Sequence, residues 1–239
     1  MRLASFHVGS LAGAVVGSLL AVSSLSARAD FQSNITVKLI APGGVQGNAA
    51  PFSVSQLVSS ASLTTGVQAG DGGAIGSGWM LAHEEVTFNG DSIHVRSYAG
   101  WDDLGSGGTS IMTGYLGSGS DHARYEFDGL SIAGKTIVGL TVYAFDNYAT
   151  SGFSGLASPA AASLVHLIDA NTVSIDLDSI LFVNRGTGTS NSHADFRIDL
   201  TTRDNGPGGG GGNNNLPEPA SLALLAIAAF GARAARRRA

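Results

Sequence analysis

Aromatic rings beside carboxylates are the first place to look for chemistry in this 239-residue chain. Tyr98 and Trp101 lie three positions apart, and Asp102 and Asp103 follow directly. A ring can stack on the C–H face of a sugar while adjacent acids accept its hydroxyls. These four residues are therefore the candidate ligand-binding site, and Tyr115 is placed to join them from the next Gly-rich loop. The other fate for Trp101 is to plug the end of a core. A second set is purely acidic. Asp176 and Asp178 share one strand face, about 7 Å apart at ~3.4 Å per residue. Asp195 and Asp199 lie the same way on a later strand, with Arg197 between them. If the two strands were neighbours, these carboxylates could converge on Ca²⁺, which favours clustered oxygen ligands. Otherwise they form a solvated face on which Arg197 pairs an acid. No segment has the spacing of an EF-hand or of the G-G-x-G-x-D repeat.

Catalytic signatures are missing. His83-Glu84-Glu85 would need a second histidine four residues after the first, and that position is Thr87. His94, His122, His166 and His193 are scattered. Gly152-Phe153-Ser154-Gly155 lacks the spacing of a nucleophile elbow. Glu84, Glu85 and Glu126 offer carboxyls for glycoside hydrolysis, but nothing in the sequence sets their separation. With no cysteine in the chain, thiolate zinc sites and disulfides are excluded. The expectation is a protein with no catalytic residue, no metal and no cofactor.

The elements that must position these groups are strands. Apolar residues alternate at Ile35, Val37 and Leu39, at Ile93 and Val95, and at Ala123, Tyr125 and Phe127. They alternate again at Val173, Ile175 and Leu177, and at Phe196, Ile198 and Leu200. Strands of this kind bury one face and wet the other, as in antiparallel sheets. Ile137 to Phe145 is apolar on both faces and predicts a central strand. The phase slips near Ser179, which predicts a bulge or turn there. A 3.6-residue pattern appears only in short stretches such as Ser53 to Ser60, so helices should be few. Glycine makes up 34 of the 239 residues, about twice the usual ~7 %. It concentrates in Gly43–Asn48, Gly66–Gly78, Gly105–Gly119 and Gly186–Ser192. Many short strands with frequent turns predict an all-β body, an antiparallel β-sandwich or jelly-roll-like fold.

Charge and hydropathy divide the chain. Arg2, an apolar run from Val8 to Val22, and Ala27-Arg28-Ala29 form the three parts of a signal peptide over residues 1–29. Ala27 and Ala29 are the positions a signal peptidase reads, so the mature chain is expected to start at Asp30. Residues 30–204 are the β domain. Between Asp30 and Leu216 there are 7 Lys and Arg against 17 Asp and Glu, a balance of −10 that the whole-chain value of −5 hides. So acidic a body excludes nucleic acid as a partner, because that binding depends on neutralising phosphates. Residues 205–215, rich in Gly and Asn, predict a flexible tether.

The tail, residues 216–239, has three parts in order. Leu216-Pro217-Glu218-Pro219-Ala220-Ser221 comes first, then the apolar run Leu222 to Phe230, then Arg233, Arg236, Arg237 and Arg238. From Leu216 to Arg238 this resembles the PEP-CTERM sorting signal of exported bacterial proteins. The resemblance implies that Pro217, Glu218 and Pro219 are recognised by an exosortase-type membrane protease, which processes the chain near the triplet. It also implies a transient stay in the inner membrane, with the four arginines as the stop. The destination would be the surface or extracellular matrix of a Gram-negative bacterium that exports polysaccharide. Exopolysaccharide is then a further partner, and a non-enzymatic matrix protein the expected role. A glycan- or calcium-binding lectin-like module and a hydrolase of matrix polysaccharide are the alternatives. The apolar segment Ala220–Ala232 is short for a membrane helix, about 20 Å at ~1.5 Å per residue against a ~30 Å hydrocarbon core. Arg233 would have to snorkel to lengthen it.

Overall fold

A computed structural model describes residues 30–69, 80–81, 83–102, 111–185 and 192–206. The expected signal peptide, most of the tether, the Pro-Glu-Pro triplet and the expected membrane helix lie outside the described residues. Among the described residues no helix is long and apolar enough to cross a membrane.

Those residues form strands and almost no helix. In chain order the strands are β1 (Ile35–Ala41), β2 (Gly44–Val45), β3 (Phe52–Val58), β4 (Val67–Gln68), β5 (Glu85–Asn89), β6 (Ser92–Tyr98), β7 (Trp101–Asp102) and β8 (Ile111–Met112). They continue as β9 (Tyr115–Leu116), β10 (Arg124–Asp128), β11 (Lys135–Tyr143), β12 (Leu156–Ser158), β13 (Val165–Asp169), β14 (Thr172–Asp176), β15 (Leu181–Phe182) and β16 (His193–Asp204). Three single 3-10 turns interrupt them, at Ser60–Ser62, Asp146–Tyr148 and Ala161–Ser163.

Two five-stranded sheets build the core. One runs β13-β14-β10-β1-β3 and the other β11-β16-β6-β5-β4. The strand pairings are antiparallel, for example Val37 opposite Phe127 and Phe196 opposite Val95. The period-two pattern explains why. Val37, Leu39, Tyr125, Phe127, Val173 and Ile175 turn inward from the first sheet, and Val86, Phe88, Ile93, Val95, Phe196 and Ile198 from the second; all are essentially inaccessible to water. The sheets meet where Phe88 and Phe127 pack edge to face at 6.0 Å between ring centroids. Phe31 adds a third ring against Phe88 at 5.8 Å. A smaller sheet, β12-β15-β8-β7, and the pair β2-β9 complete the strands.

Two expectations need correction. Ile137–Phe145 is not a central strand: β11 lies at the edge of its sheet, and Val138 is 46 % exposed. Its inner face carries Ile137 and then Leu140 and Val142, which pack against the core, so an apolar run on both parities arose from a change of inward phase. Ser53–Ser60 is strand rather than helix for most of its length, with Phe52, Val54 and Gln56 half-buried in alternation along β3. Pairing with β1 outweighs its weak helical spacing. The slip near Ser179 is a turn, after which β15 joins a different sheet from β14.

Phe127→Ala should cost about 3–5 kcal/mol in urea unfolding, as for other buried Phe truncations. Val138→Thr, on the exposed side of the edge strand, should stay within about 0.5 kcal/mol. Equal losses in the two variants would show that the core does not centre on the Phe88–Phe127 contact.

Candidate functional site

The outer face of the β11-β16-β6-β5-β4 sheet carries a dense set of polar side chains among the described residues. Because Ile93, Val95 and Ser97 of β6 point inward, His94, Arg96 and Tyr98 point out. By the same alternation β16 presents His193, Asp195, Arg197 and Asp199. Register places Asp195 and Glu85 opposite Arg96, His193 opposite Tyr98, and Arg197 opposite His94. Arg96 donates two hydrogen bonds to Asp195, Nε to Oδ1 at 2.6 Å and Nη2 to Oδ2 at 2.7 Å. This fork raises the Arg96 pKa, against the opposing effect of burial. Arg197 makes the same fork to Asp199 at 2.6 and 2.8 Å, and Ser92 donates to that carboxylate as well.

The segment Phe145–Phe153 lies over this face. Its backbone N–H at Asn147 donates to Asp195 Oδ2 at 2.7 Å. The Tyr148 ring stacks on His94 at 4.5 Å and 12°, its hydroxyl donates to Glu85, and the Arg96 guanidinium lies 5.6 Å from its centroid. Asp146 accepts two bonds from Arg185, which hold its carboxyl below the usual range. Asn147 (φ 57) and Tyr148 (φ 60) are both left-handed. For residues other than glycine this costs of order 1–3 kcal/mol each and persists only where surrounding contacts enforce it. Beyond the segment, Gly155 is required: a Cβ there would lie 1.8 Å from the His193 carbonyl oxygen.

A polar pocket of about 230 Å³ opens beside this face, lined by Gln68, Ala69, His83, Glu84, Glu85, Arg96 and Tyr98. The imidazoles of His83 (5.3 Å) and His193 (5.0 Å) pack against the Tyr98 ring. His83 itself is left-handed, with φ 70. Glu84 turns inward and is 1 % exposed. Its Oε2 accepts from Tyr125 OH at 2.6 Å, Tyr115 OH at 2.8 Å and Leu81 N at 3.1 Å. Its Oε1 accepts two longer contacts, from Ser97 Oγ and Tyr98 N, each at 3.4 Å. Burial pushes the Glu84 carboxyl above its ordinary value, while the hydrogen bonds pull it down. The two tyrosine hydroxyls are driven well up, first by burial and then by the Glu84 charge.

The structure sorts the candidate residues differently from their spacing. Tyr98 lines the pocket, but its ring already packs with two imidazoles. Trp101 and Asp102 form the short strand β7; their side chains, and all of Asp103, lie outside the described residues. Tyr115 goes to the core and bonds Glu84 instead of joining them. The acidic pairs do not converge: Asp176 belongs to one large sheet, while Asp195 and Asp199 belong to the other. Asp178 lies past the end of β14. Each acid has its own partner, His166 for Asp176 at 3.0 Å and His122 for Asp178 at 2.9 Å. Asp146, His193 and Asp195 do bring potential ligand atoms within 4.8 Å of one another. Two guanidinium groups already neutralise the two carboxylates there, so a cation would have to displace them.

Beyond this body, residues 215–238 match the family model of the PEP-CTERM protein-sorting motif. The chain carries an exosortase sorting signal. The motif implies an exported protein sorted by that membrane enzyme, with a surface or extracellular destination in Gram-negative bacteria. No curated protein and no solved structure matches the chain.

Glu84→Leu should cost about 3 kcal/mol or more, given ~1–3 kcal/mol for each buried group left without a partner. Glu84→Gln keeps an acceptor and should cost less. The raised carboxyl pKa means that the folded state holds the proton more tightly than the unfolded one. Its contribution is therefore full below the ordinary value of 4.5 and declines as pH rises towards the folded value. Denaturation of Glu84→Gln across pH 4 to 8 should lack that decline. A slope identical to the unsubstituted chain would remove Glu84 as its source.

Proposed function

We propose that the β domain is the cargo of the sorting signal: an exported, non-enzymatic cell-surface or extracellular-matrix protein. The observation that carries this is the match at residues 215–238. Pro217 and Pro219 fix their own φ and disfavour helix in the residue before each. A sequence so restricted disfavours helix at the point where the enzyme would act. Pro217 lies 13 residues after Asp204, a reach of at most about 44 Å at ~3.4 Å per residue. That span lets a folded domain clear the membrane while the triplet meets the enzyme. The signal peptide over 1–29 supplies the export step, with signal peptidase as the first processing partner. The acidic body, the forked pairs Arg96–Asp195, Arg197–Asp199 and Arg185–Asp146, and the absence of a catalytic motif in the sequence support a role as material rather than as an enzyme.

Glycan contact is the second reading, favoured by the polar pocket beside Tyr98, with exopolysaccharide as the ligand. If it is correct, Trp101→Ala abolishes signal on a glycan array and leaves the melting temperature unchanged.

Deleting residues 217–238 should separate sorting from folding. The truncated chain should be exported but reach a different cell fraction, and the full chain should show an intact mass that ends near the triplet. One shared fate and one shared C-terminus for the two chains would defeat the proposal.

A further inference from the structure

We propose that the Phe145–Phe153 segment is an acid-released strap: lowering the pH lifts Tyr148 from the sheet and uncovers the Arg96–Asp195 pair with the polar pocket beside it. The strap is built to have two states. Its two successive left-handed residues, Asn147 and Tyr148, relax once their pins are gone. Its far end turns through Gly152, at φ 128, where glycine tolerates rearrangement. Thr150, Ser151, Gly152 and Phe153 are exposed, and that end is held by the Arg185 guanidinium, 5.2 Å from the Phe153 ring centroid, and by the Asp146 amide donating to the Phe153 carbonyl.

The pins are few and polar. Asp195 takes the Asn147 N–H, Glu85 takes the Tyr148 hydroxyl, Arg185 holds Asp146, and His94 supports the Tyr148 ring. Of these partners His94 alone has an ordinary pKa close to neutrality, at 6.5; a second imidazole, His193, lies within 4.8 Å of the Asp146 and Asp195 carboxylates. The groups facing it are Arg96 on its own strand, Glu85 on β5, and Arg197, Asp195 and Asp199 on β16. Tyr148 faces it from the strap. The three carboxylates are already engaged, Asp199 by Arg197, Asp195 by Arg96, and Glu85 by Tyr148 and Arg96. Arg197 stands directly across, and the Tyr148 ring already has the Arg96 guanidinium against it. A proton on His94 therefore adds a second cation beside Arg96 against a ring that partly covers it. Burial, then Arg197, holds the His94 pKa below its ordinary value.

The sign follows by linkage. A depressed imidazole pKa means that the closed strap binds the proton less well than the open one, so the closed form loses ground as pH falls below 6.5. Solvation of the imidazolium drives the opening, and Arg197 assists it.

Hydrogen exchange on the full exported chain tests this, with rates corrected for intrinsic pH dependence. Between pH 7.5 and pH 5, peptides covering 145–153 should lose protection several-fold, while β1 and β10 keep theirs. His94→Phe retains a stacking ring without the proton, and its strap should stay protected at both values. Tyr148→Ala should expose the strap at pH 7.5 to the level seen at pH 5 in the unsubstituted chain. A strap equally protected at both pH values, or one that opens in His94→Phe as it does in the parent, overturns the proposal. If His94→Phe does not fold, the His94 ring protons followed by NMR decide it: titration at or above 6.5 in the closed form overturns it.

Discussion

One buried carboxylate ties this domain together. Glu84 is reached by hydroxyls from β9 and β10, by the amide of Leu81 and, more loosely, by β6. β6 and β10 belong to opposite large sheets. Apolar contacts such as Phe88 with Phe127 supply attraction between the sheets but little direction. The Glu84 oxygens supply direction, because each donor must arrive within hydrogen-bond range or remain buried without a partner. A carboxylate held by neutral donors is an expensive way to achieve this. The expense falls at a residue that also lines the polar pocket.

On the outer face of the sheet the design is reversed. There the charges are many, forked and mutually neutralised, and a short strained segment closes over them. Asp195 belongs to both systems: it accepts Arg96 within the sheet and the Asn147 amide from the covering segment. A side chain that would otherwise be a solvated strand acid thereby becomes 1 % exposed. Among the described residues, Asp195 and His94 on this face are covered by a loop that crosses it.

How much of this could be read from sequence depends on distance along the chain. The strands were legible because alternation is local, and β1, β6, β10, β14 and β16 fall where Ile35, Ile93, Ala123, Val173 and Phe196 announce them. Glu84 was legible too, since the inward phase of Val86 and Phe88 extends back to position 84, but the run His83-Glu84-Glu85 also has the look of a broken metal motif, which masks that phase. Edge position was not legible for β11, since the number of neighbours is a property of topology rather than of composition. Neither was the convergence of Asp146, Tyr148, Arg96 and Asp195, which lie up to 99 residues apart in their hydrogen bonds. The acidic pairs misled because separate sheets look the same as adjacent strands in a linear pattern. The tail was the opposite case, since its whole signal is contiguous and residues 215–238 match the motif.

The way β16 leaves the domain has a mechanical consequence. The strand that leads to the tether is twelve residues long and has β6 on one side and β11 on the other. A force applied through the tail and directed along that strand would load its rungs in parallel. They would have to fail together in shear, whereas a strand peeled from a free border gives way one rung at a time.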